Sequence, residues 1–226
     1  MPYTNKEAMR ADLVQLGVTT WDWPGKQPRA VRPEVQKSLP ASKGEGALDE
    51  IAAYCWTAYE KSYRGVGDLV IGRVNHLSQA GLYEKVAEMQ EGQTLFDQAA
   101  QGNLLQMDKW ARVVNDAWIL GGVHRHALFR LASPRVMENL WNQGGGYFVV
   151  TAREILGLLN FGYRHEQIGP WQCLACKDKA RASAANLIAY DRLVKSGQTI
   201  EKAAALQDPR GSAARVQQQI ANFHRR

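Results

Sequence analysis

The densest group of potentially reactive side chains is His124-Arg125-His126. On an extended backbone, residues two apart point to the same face of a strand, so the two histidines are expected to face one site. Histidine titrates near neutral pH and often serves as a general acid or base. Arg153 and Glu154 follow a later predicted strand and offer a guanidinium and a carboxylate. The predicted catalytic residues are His124, His126, Arg153 and Glu154.

Further cationic residues lie near predicted strand ends and helix starts. Guanidinium groups bind phosphates and carboxylates through paired hydrogen bonds, so a group of them predicts an anion site. The predicted anion-binding residues are Arg125, Arg130, Arg135, Arg164 and His165. Glu166 follows in the same polar stretch, which we interpret as a loop and which offers a second carboxylate. A solvated surface is the alternative interpretation for these side chains.

Cys173 and Cys176 have a spacing that occurs in zinc sites, and with His124 and His126 they would complete a tetrahedral set. If 171–176 is a regular strand, however, a three-residue spacing places the two thiols on opposite faces. Core cysteines are therefore the favoured interpretation. We expect no metal and no cofactor.

The elements around these residues include several short strands. Strands are expected at 127–132, 147–150 and 171–175, while Leu69-Val70-Ile71 could belong to a strand or a helix. Gly144-Gly145-Gly146 turns the chain into the second of these strands.

A helix is expected directly after the strand at 147–150. Thr151 and Glu154 have the spacing of a capping box, in which each side chain accepts a hydrogen bond from the other residue's amide. Val150 and Ile155 are placed for a hydrophobic staple. The capping box also gives Glu154 a structural role as the alternative to catalysis.

Two helices are expected in the first third of the chain. Thr4 and Glu7 form a second capping box, and the helix after it has Met9, Leu13 and Leu16 on one side. A helix over 47–63 carries the apolar positions Leu48, Ile51, Cys55, Ala58 and Tyr59 on one face. Cys55 is therefore predicted to be a core thiol.

Later helices have recognisable start and stop signals. Asp108 caps a helix that should end at Gly121-Gly122, and Ser133-Pro134 should open another. Asp178 should cap one long helix that Gly197 ends. Further helices are expected at 78–90, at 94–101 and on both sides of Asp208-Pro209.

The pattern predicts an α+β fold in which helices dominate and surround a small sheet of short strands. Four prolines interrupt residues 18–46, which we interpret as an irregular arm. The predicted division is an N-terminal helix and Pro-rich arm (1–46), a helical region (47–108) and a basic α+β domain (109–226). The last two could form one continuous domain.

Charge is unevenly distributed around a formal total of +6. Residues 1–108 contain 11 Lys and Arg against 14 Asp and Glu, a net −3, whereas residues 109–226 contain 17 against 8, a net +9. A basic second half favours an anionic partner: a nucleic acid, a nucleotide or an acidic protein such as an immunity protein or chaperone.

No stretch is apolar for long enough to span a membrane, and Glu7 and Asp12 lie where a secretory signal would be apolar. Three cysteines do not make a disulfide framework and favour a reducing compartment. The prediction is a cytoplasmic protein in the producing cell, with export, if any, that needs no Sec signal.

Several short segments of the second half resemble C-terminal domains of bacterial effectors from type VI secretion and polymorphic-toxin systems. The segments are Trp118 to His124, Leu131 to Arg135 with Asn139-Leu140-Trp141, and Val150 to Glu154 with Gly157-Leu158 and Phe161-Gly162-Tyr163. The resemblance covers about residues 110–194. It implies export without a Sec signal and neutralisation by a cognate immunity protein.

Three functional hypotheses follow, and the first is the leading one. The first is an effector-type antibacterial toxin whose basic half acts on a nucleic acid or nucleotide-containing target. The second is a non-enzymatic interaction protein, such as a secretion adaptor, an immunity partner or a phage-encoded inhibitor. The lack of any complete catalytic signature in the sequence supports the second. The third is a DNA- or RNA-binding protein, whose binding would fall steeply as salt is raised.

Overall fold

The computed structural model describes residues 3–17, 45–72, 109–169 and 171–210. The predicted arm up to residue 44, the cap at Asp108, the helices at 78–90 and 94–101 and the helix after 210 lie outside the described residues. Among those described, no helix is long and apolar enough to cross a membrane.

The predicted class is confirmed: the fold is α+β and helices dominate. The helices are α1 (Lys6–Gln15), α2 (Glu45–Arg64), α3 (Lys109–His124), α4 (Val150–Asn160), α5 (Lys179–Ser183), α6 (Leu187–Ser196) and α7 (Ile200–Leu206). The strands are β1 (Leu69–Ile71), β2 (Phe129–Leu131), β3 (Trp141–Asn142), β4 (Tyr147–Phe148), β5 (Tyr163–Ile168) and β6 (Trp171–Cys176).

Four of these strands form a mixed sheet in the order β1-β2-β6-β5. β1 is parallel to β2, while β6 is antiparallel to both β2 and β5. The ambiguous segment 69–71 is therefore a strand, and the strands predicted at 127–132 and 171–175 are confirmed. β3 and β4 form a separate antiparallel pair across the predicted glycine turn.

The described residues fall into two compact units, each drawn from several stretches of the chain. The first contains residues 3–17, 45–65, 109–125 and 183–191, and the second contains 66–72, 126–169, 171–182 and 192–210.

The first unit is built on α1, α2 and α3. The predicted apolar face of α2 is confirmed, since Leu48, Ile51 and Cys55 are all buried. Burial also raises the pKa of the Cys55 thiol, as expected for a core cysteine. α1 buries Met9 and Leu13. Its N-cap is Asn5, whose side chain accepts from the Ala8 amide at 2.9 Å, so the predicted cap at Thr4 is wrong by one residue.

Gly121 lies inside α3 and does not end it. A Cβ at this position would lie 2.4 Å from the Tyr59 carbonyl oxygen and 2.9 Å from Ser62 Cβ, so the glycine allows α2 and α3 to approach closely. The predicted helix end at Gly121-Gly122 is therefore wrong, because packing between helices requires the glycine there. α3 continues to His124.

The second unit is built on the sheet and α4. Phe129 of β2 and Tyr163 of β5 meet edge to face with ring centroids 5.5 Å apart, and both rings are buried. Ile155 and Leu158 of α4 are also fully buried. These apolar side chains form the core of the unit.

Three local predictions in this unit are wrong. α4 begins at Val150 with Val149 as its N-cap, so Thr151 and Glu154 are buried within the helix and do not form a capping box. Ser133-Pro134 opens only a 3₁₀ turn (Met137–Asn139), where the Asn139 side chain donates to the Pro134 carbonyl at 3.0 Å. The polar stretch around Glu166 is strand β5 rather than a loop.

The segment after Asp178 is also divided. Asp178 caps α5 as predicted, accepting from the Arg181 amide at 2.9 Å. The prediction of a single long helix is wrong. The Asn186 side chain accepts from the Ala189 amide at 2.7 Å and caps α6, which begins as a new helix. α6 ends at Ser196, next to Gly197, as predicted.

Candidate functional site

His124 is the last residue of α3 and is only 6% exposed. Its Nε2 lies 3.0 Å from the Ala185 carbonyl oxygen, which can only accept, so Nε2 carries the proton. Its Nδ1 lies 2.8 Å from the Tyr59 hydroxyl, which donates to it in the neutral tautomer. Both nitrogens of the imidazole are thus used inside the first unit.

His126 belongs to the second unit and has a left-handed backbone, with φ of 61°. The expectation that His124 and His126 share an extended segment is wrong, because α3 runs through His124 and the chain turns before β2 begins at Phe129. The geometric reason for pairing the two histidines therefore disappears.

Arg153 and Glu154 lie in the first turns of α4. Arg153 is 8% exposed and Glu154 is fully buried. Both residues are therefore largely removed from solvent in the described structure.

The structure does bring two predicted anion-binding residues together. Arg135 Nη1 lies 3.0 Å from Nε2 of His165 and donates to it, so this nitrogen of the imidazole is unprotonated. The same Nη1 donates to the Leu206 carbonyl at 3.1 Å, and Nε donates to Gln172 Oε1 at 3.4 Å. Arg135 is buried, while part of His165 remains exposed.

Asp208 completes this group, which we call the Arg135 cluster (Arg135, His165, Gln172 and Asp208). Its Oδ2 lies 3.8 Å from Arg135 Nη2 and accepts from the Gln172 side chain, and its amide donates to the Arg135 carbonyl at 2.9 Å. Sequence reasoning missed Gln172 and Asp208. The only signal was Asp208-Pro209, which was interpreted as a helix break.

The Arg135 cluster is better suited to holding the chain than to catalysis. Burial and the neighbouring Arg135 guanidinium lower the pKa of His165 to about 4, so the imidazole is a weak base at neutral pH. Although burial alone would raise it, the Arg210 amide and the Arg135 guanidinium lower the pKa of Asp208, which stays ionised. Arg135 donates hydrogen bonds to acceptors of the protein itself, and these bonds attach the segment after α7 to the sheet.

Arg130 has a separate environment on β2. Its Nε and Nη2 lie 2.7 and 2.6 Å from Asp68 Oδ2, and its guanidinium carbon lies 5.6 Å from the centroid of the Trp171 ring. Burial raises the pKa of the nearby Cys173 thiol to about 11 even though Arg130 favours the thiolate. This thiol is therefore not an activated nucleophile.

Arg125 and Arg164 contact main-chain oxygens. Arg125 Nε donates to the Ser62 carbonyl at 2.7 Å, and Arg164 Nη1 donates to the Tyr163 carbonyl at 2.7 Å. Of the four predicted anion-binding residues that lie in the second unit, Arg135 and His165 are hydrogen-bonded to each other.

The cysteines behave as the strand geometry requires. β6 covers Trp171–Cys176, so Cys173 and Cys176 point to opposite faces; Cys173 is buried and Cys176 is partly exposed. Within the ranges that the structure describes, no three His, Cys, Asp or Glu side chains are grouped as metal ligands.

An exposed basic surface lies where β5 begins and β6 ends. We call it the β5 surface and define it by the exposed cations Arg164, Lys177, Lys179 and Arg181. Lys177 Nζ is paired with Glu166 Oε2 at 2.7 Å. Asp178 lies against the chain at Gly162, since its amide donates to the Gly162 carbonyl at 3.1 Å, and this contact places the start of α5 beside the start of β5.

No protein-family model, no curated protein and no solved structure matches this chain.

Proposed function

We propose that this chain is a non-enzymatic interaction protein that binds an acidic protein partner through the β5 surface. A secretion adaptor, an immunity partner and a phage-encoded inhibitor are functions of this kind. The proposal rests on the position of exposed cations beside a strand at the edge of the sheet.

The arrangement of charge supports this proposal. Arg164, Lys177, Lys179 and Arg181 are exposed, and within the sequence from residue 163 to residue 181 the acidic side chains are Glu166 and Asp178. Asp178 is committed to capping α5 through the Arg181 amide. The surface therefore has a net positive charge that an acidic partner would complement.

Burial of three of the four predicted catalytic residues also supports this proposal. His124, Arg153 and Glu154 are 6%, 8% and 0% exposed, respectively. His124 is used on both nitrogens by groups of its own unit. These residues support interior packing better than they support attack on a nucleic acid.

The proposal is tested by purifying the tagged chain from the organism that encodes it and identifying a stoichiometric partner. Triple reversal of Lys177, Lys179 and Arg181 to Glu should abolish binding of that partner, and binding of the native chain should weaken as salt is raised. A matched control reverses three exposed cations elsewhere, Lys6, Arg192 and Lys202. Equal loss in both variants, or a partner without acidic character, contradicts the proposal.

A second candidate is the effector-type toxin, which the net +9 of residues 109–226 favours. It predicts that cytoplasmic expression of the chain stops bacterial growth and that the triple reversal at the β5 surface restores growth without unfolding the protein. Normal growth at high levels of folded protein supports the interaction protein instead.

A further inference from the structure

β5 lies at one edge of the four-stranded sheet, with β6 on its inner side. Among the described residues, no strand pairs with its outer side. It is six residues long, whereas the strand at the other edge, β1, has three. A strand of this length offers enough main-chain groups to pair with an added strand.

The register identifies which groups face outward. The Lys177 amide donates to the Gly162 carbonyl at 2.9 Å, so position 162 belongs to the hydrogen-bonded pairs of the β5–β6 ladder. These pairs alternate in an antiparallel ladder. The main-chain groups of Arg164 and Glu166 therefore face β6, and those of His165 and Gln167 face away from the sheet.

His165 and Gln167 are both exposed. Their contacts in the described structure use side chains: His165 Nε2 accepts from Arg135, and the Gln167 side chain donates to the Gly169 carbonyl at 2.9 Å. The two residues thus present two N–H and two C=O groups in the i, i+2 arrangement that an added strand requires.

The charge around this edge favours an acidic segment as the added strand. Arg164 lies on β5, and Lys177, Lys179 and Arg181 lie beside its first residues. A second copy of the chain would bring two such net-positive surfaces together, which is unfavourable. An acidic segment would form ion pairs instead.

We infer that β5 accepts an extended acidic segment of a partner protein as a fifth strand of the sheet. This inference rests on the proposed function and specifies its mode of recognition: main-chain pairing with His165 and Gln167, and ion pairs with the β5 surface. The His165 side chain is held by the Arg135 cluster through the hydrogen bond from Arg135 Nη1, which leaves its main-chain groups available.

Amide hydrogen exchange by NMR tests the edge in the free protein. The amides of His165 and Gln167 should exchange rapidly, whereas those of Arg164 and Glu166, bonded to β6, should be protected. Equal protection at all four positions would mean that the outer edge is already occupied and would overturn the inference.

The probe for binding is a fluorescent octapeptide that alternates Thr and Glu, compared with one that alternates Thr and Lys. Saturable binding of the acidic peptide, with new protection at His165 and Gln167, is expected. Gln167→Pro removes the Gln167 amide N–H, which faces away from β6 and is not used in the β5–β6 ladder. This substitution should weaken peptide binding about tenfold, whereas Gln167→Ala, which keeps the amide, should not.

Equal binding of both peptides, no change with Gln167→Pro, or self-association in sedimentation would overturn the inference. The two proposals fail separately. If the native partner binds, is released by the triple charge reversal, and is unaffected by Gln167→Pro, the proposed function stands and strand addition does not.

Discussion

His124 acts through two buried hydrogen bonds, to Tyr59 and to the Ala185 carbonyl. His124→Ala leaves both partners without this contact and should lower the free energy of unfolding by about 3 kcal/mol or more. Tyr59→Phe removes only one of the bonds and should cost about 1–2 kcal/mol. Urea denaturation followed by circular dichroism measures both.

The double variant provides the control, because residues in one network are not additive. His124→Ala combined with Tyr59→Phe should cost less than the sum of the single changes. An unfolding midpoint for His124→Ala equal to that of the native chain would contradict the structural role and return His124 to the catalytic candidates.

The lowered pKa of His165 makes stability depend on pH. The unfolded chain takes up a proton at this residue near pH 6.5, whereas the folded chain does so only near pH 4. Between these values the unfolded state binds more protons, so stability should fall as the pH is lowered through this window. Thermal unfolding of the native chain and of His165→Gln at several pH values measures the effect.

His165→Gln should have a flatter profile between pH 6.5 and 4, since it cannot be protonated. Asp208 has a lowered pKa, so its contribution is present above the ordinary value of about 3.9 and is lost below it. Its effect therefore lies at lower pH. Identical slopes for the two proteins between pH 6.5 and 4 would show that burial and the Arg135 contact do not lower the pKa of His165.

At the scale of elements, Gly121 determines how closely α2 and α3 pack. Gly121→Ala would place a methyl group 2.4 Å from the Tyr59 carbonyl, so the helices must separate, at a cost of about 1–3 kcal/mol or more. Gly144→Ala is the matched control, because its nearest atom would be Asn142 Oδ1 at 3.6 Å. Chemical denaturation should show that Gly121→Ala is less stable than Gly144→Ala. Equal stability of the two variants would contradict the close approach of α2 and α3.

Periodicity predicted the elements well wherever a segment buries one face. The apolar positions of α2 are the example, since they recur at helical spacing along a single element and are buried. Gly121 and Thr151 were misinterpreted because their local signals, a stop and a cap, are overridden by tertiary contacts and burial. A local sequence pattern does not reveal the distant residues whose packing determines the structure at such a position.

The candidate site was harder to predict than the fold. Arg135 and His165 are both predicted anion-binding residues and they do meet, but Asp208, which pairs with Arg135, is 73 positions away from it in sequence. β5 was missed because its residues are mostly polar and side chains on both of its faces are exposed, so the strand has no apolar alternation. Contacts between distant segments decide both cases.

At the scale of the whole molecule, the net +9 of residues 109–226 does not by itself make a nucleic-acid surface. The guanidinium groups of Arg125, Arg130 and Arg135 have protein acceptors. The exposed Lys177, Lys179 and Arg181 could contact about three phosphates, which would contribute a slope of about −3 to the dependence of log K on log salt for duplex DNA.

Triple reversal of Lys177, Lys179 and Arg181 should therefore reduce the steepness of that slope by about 2–3, measured by fluorescence anisotropy with a labelled duplex. The control reversal of Lys6, Arg192 and Lys202 should change it less, because those cations are not grouped beside one strand. If the β5 surface reversal leaves a steep slope intact, DNA is bound through another part of the chain. That result would favour a nucleic-acid target over an acidic protein. If the β5 surface serves a protein partner, weak DNA binding should occur mostly through that same basic surface, and a second DNA-binding surface is not expected.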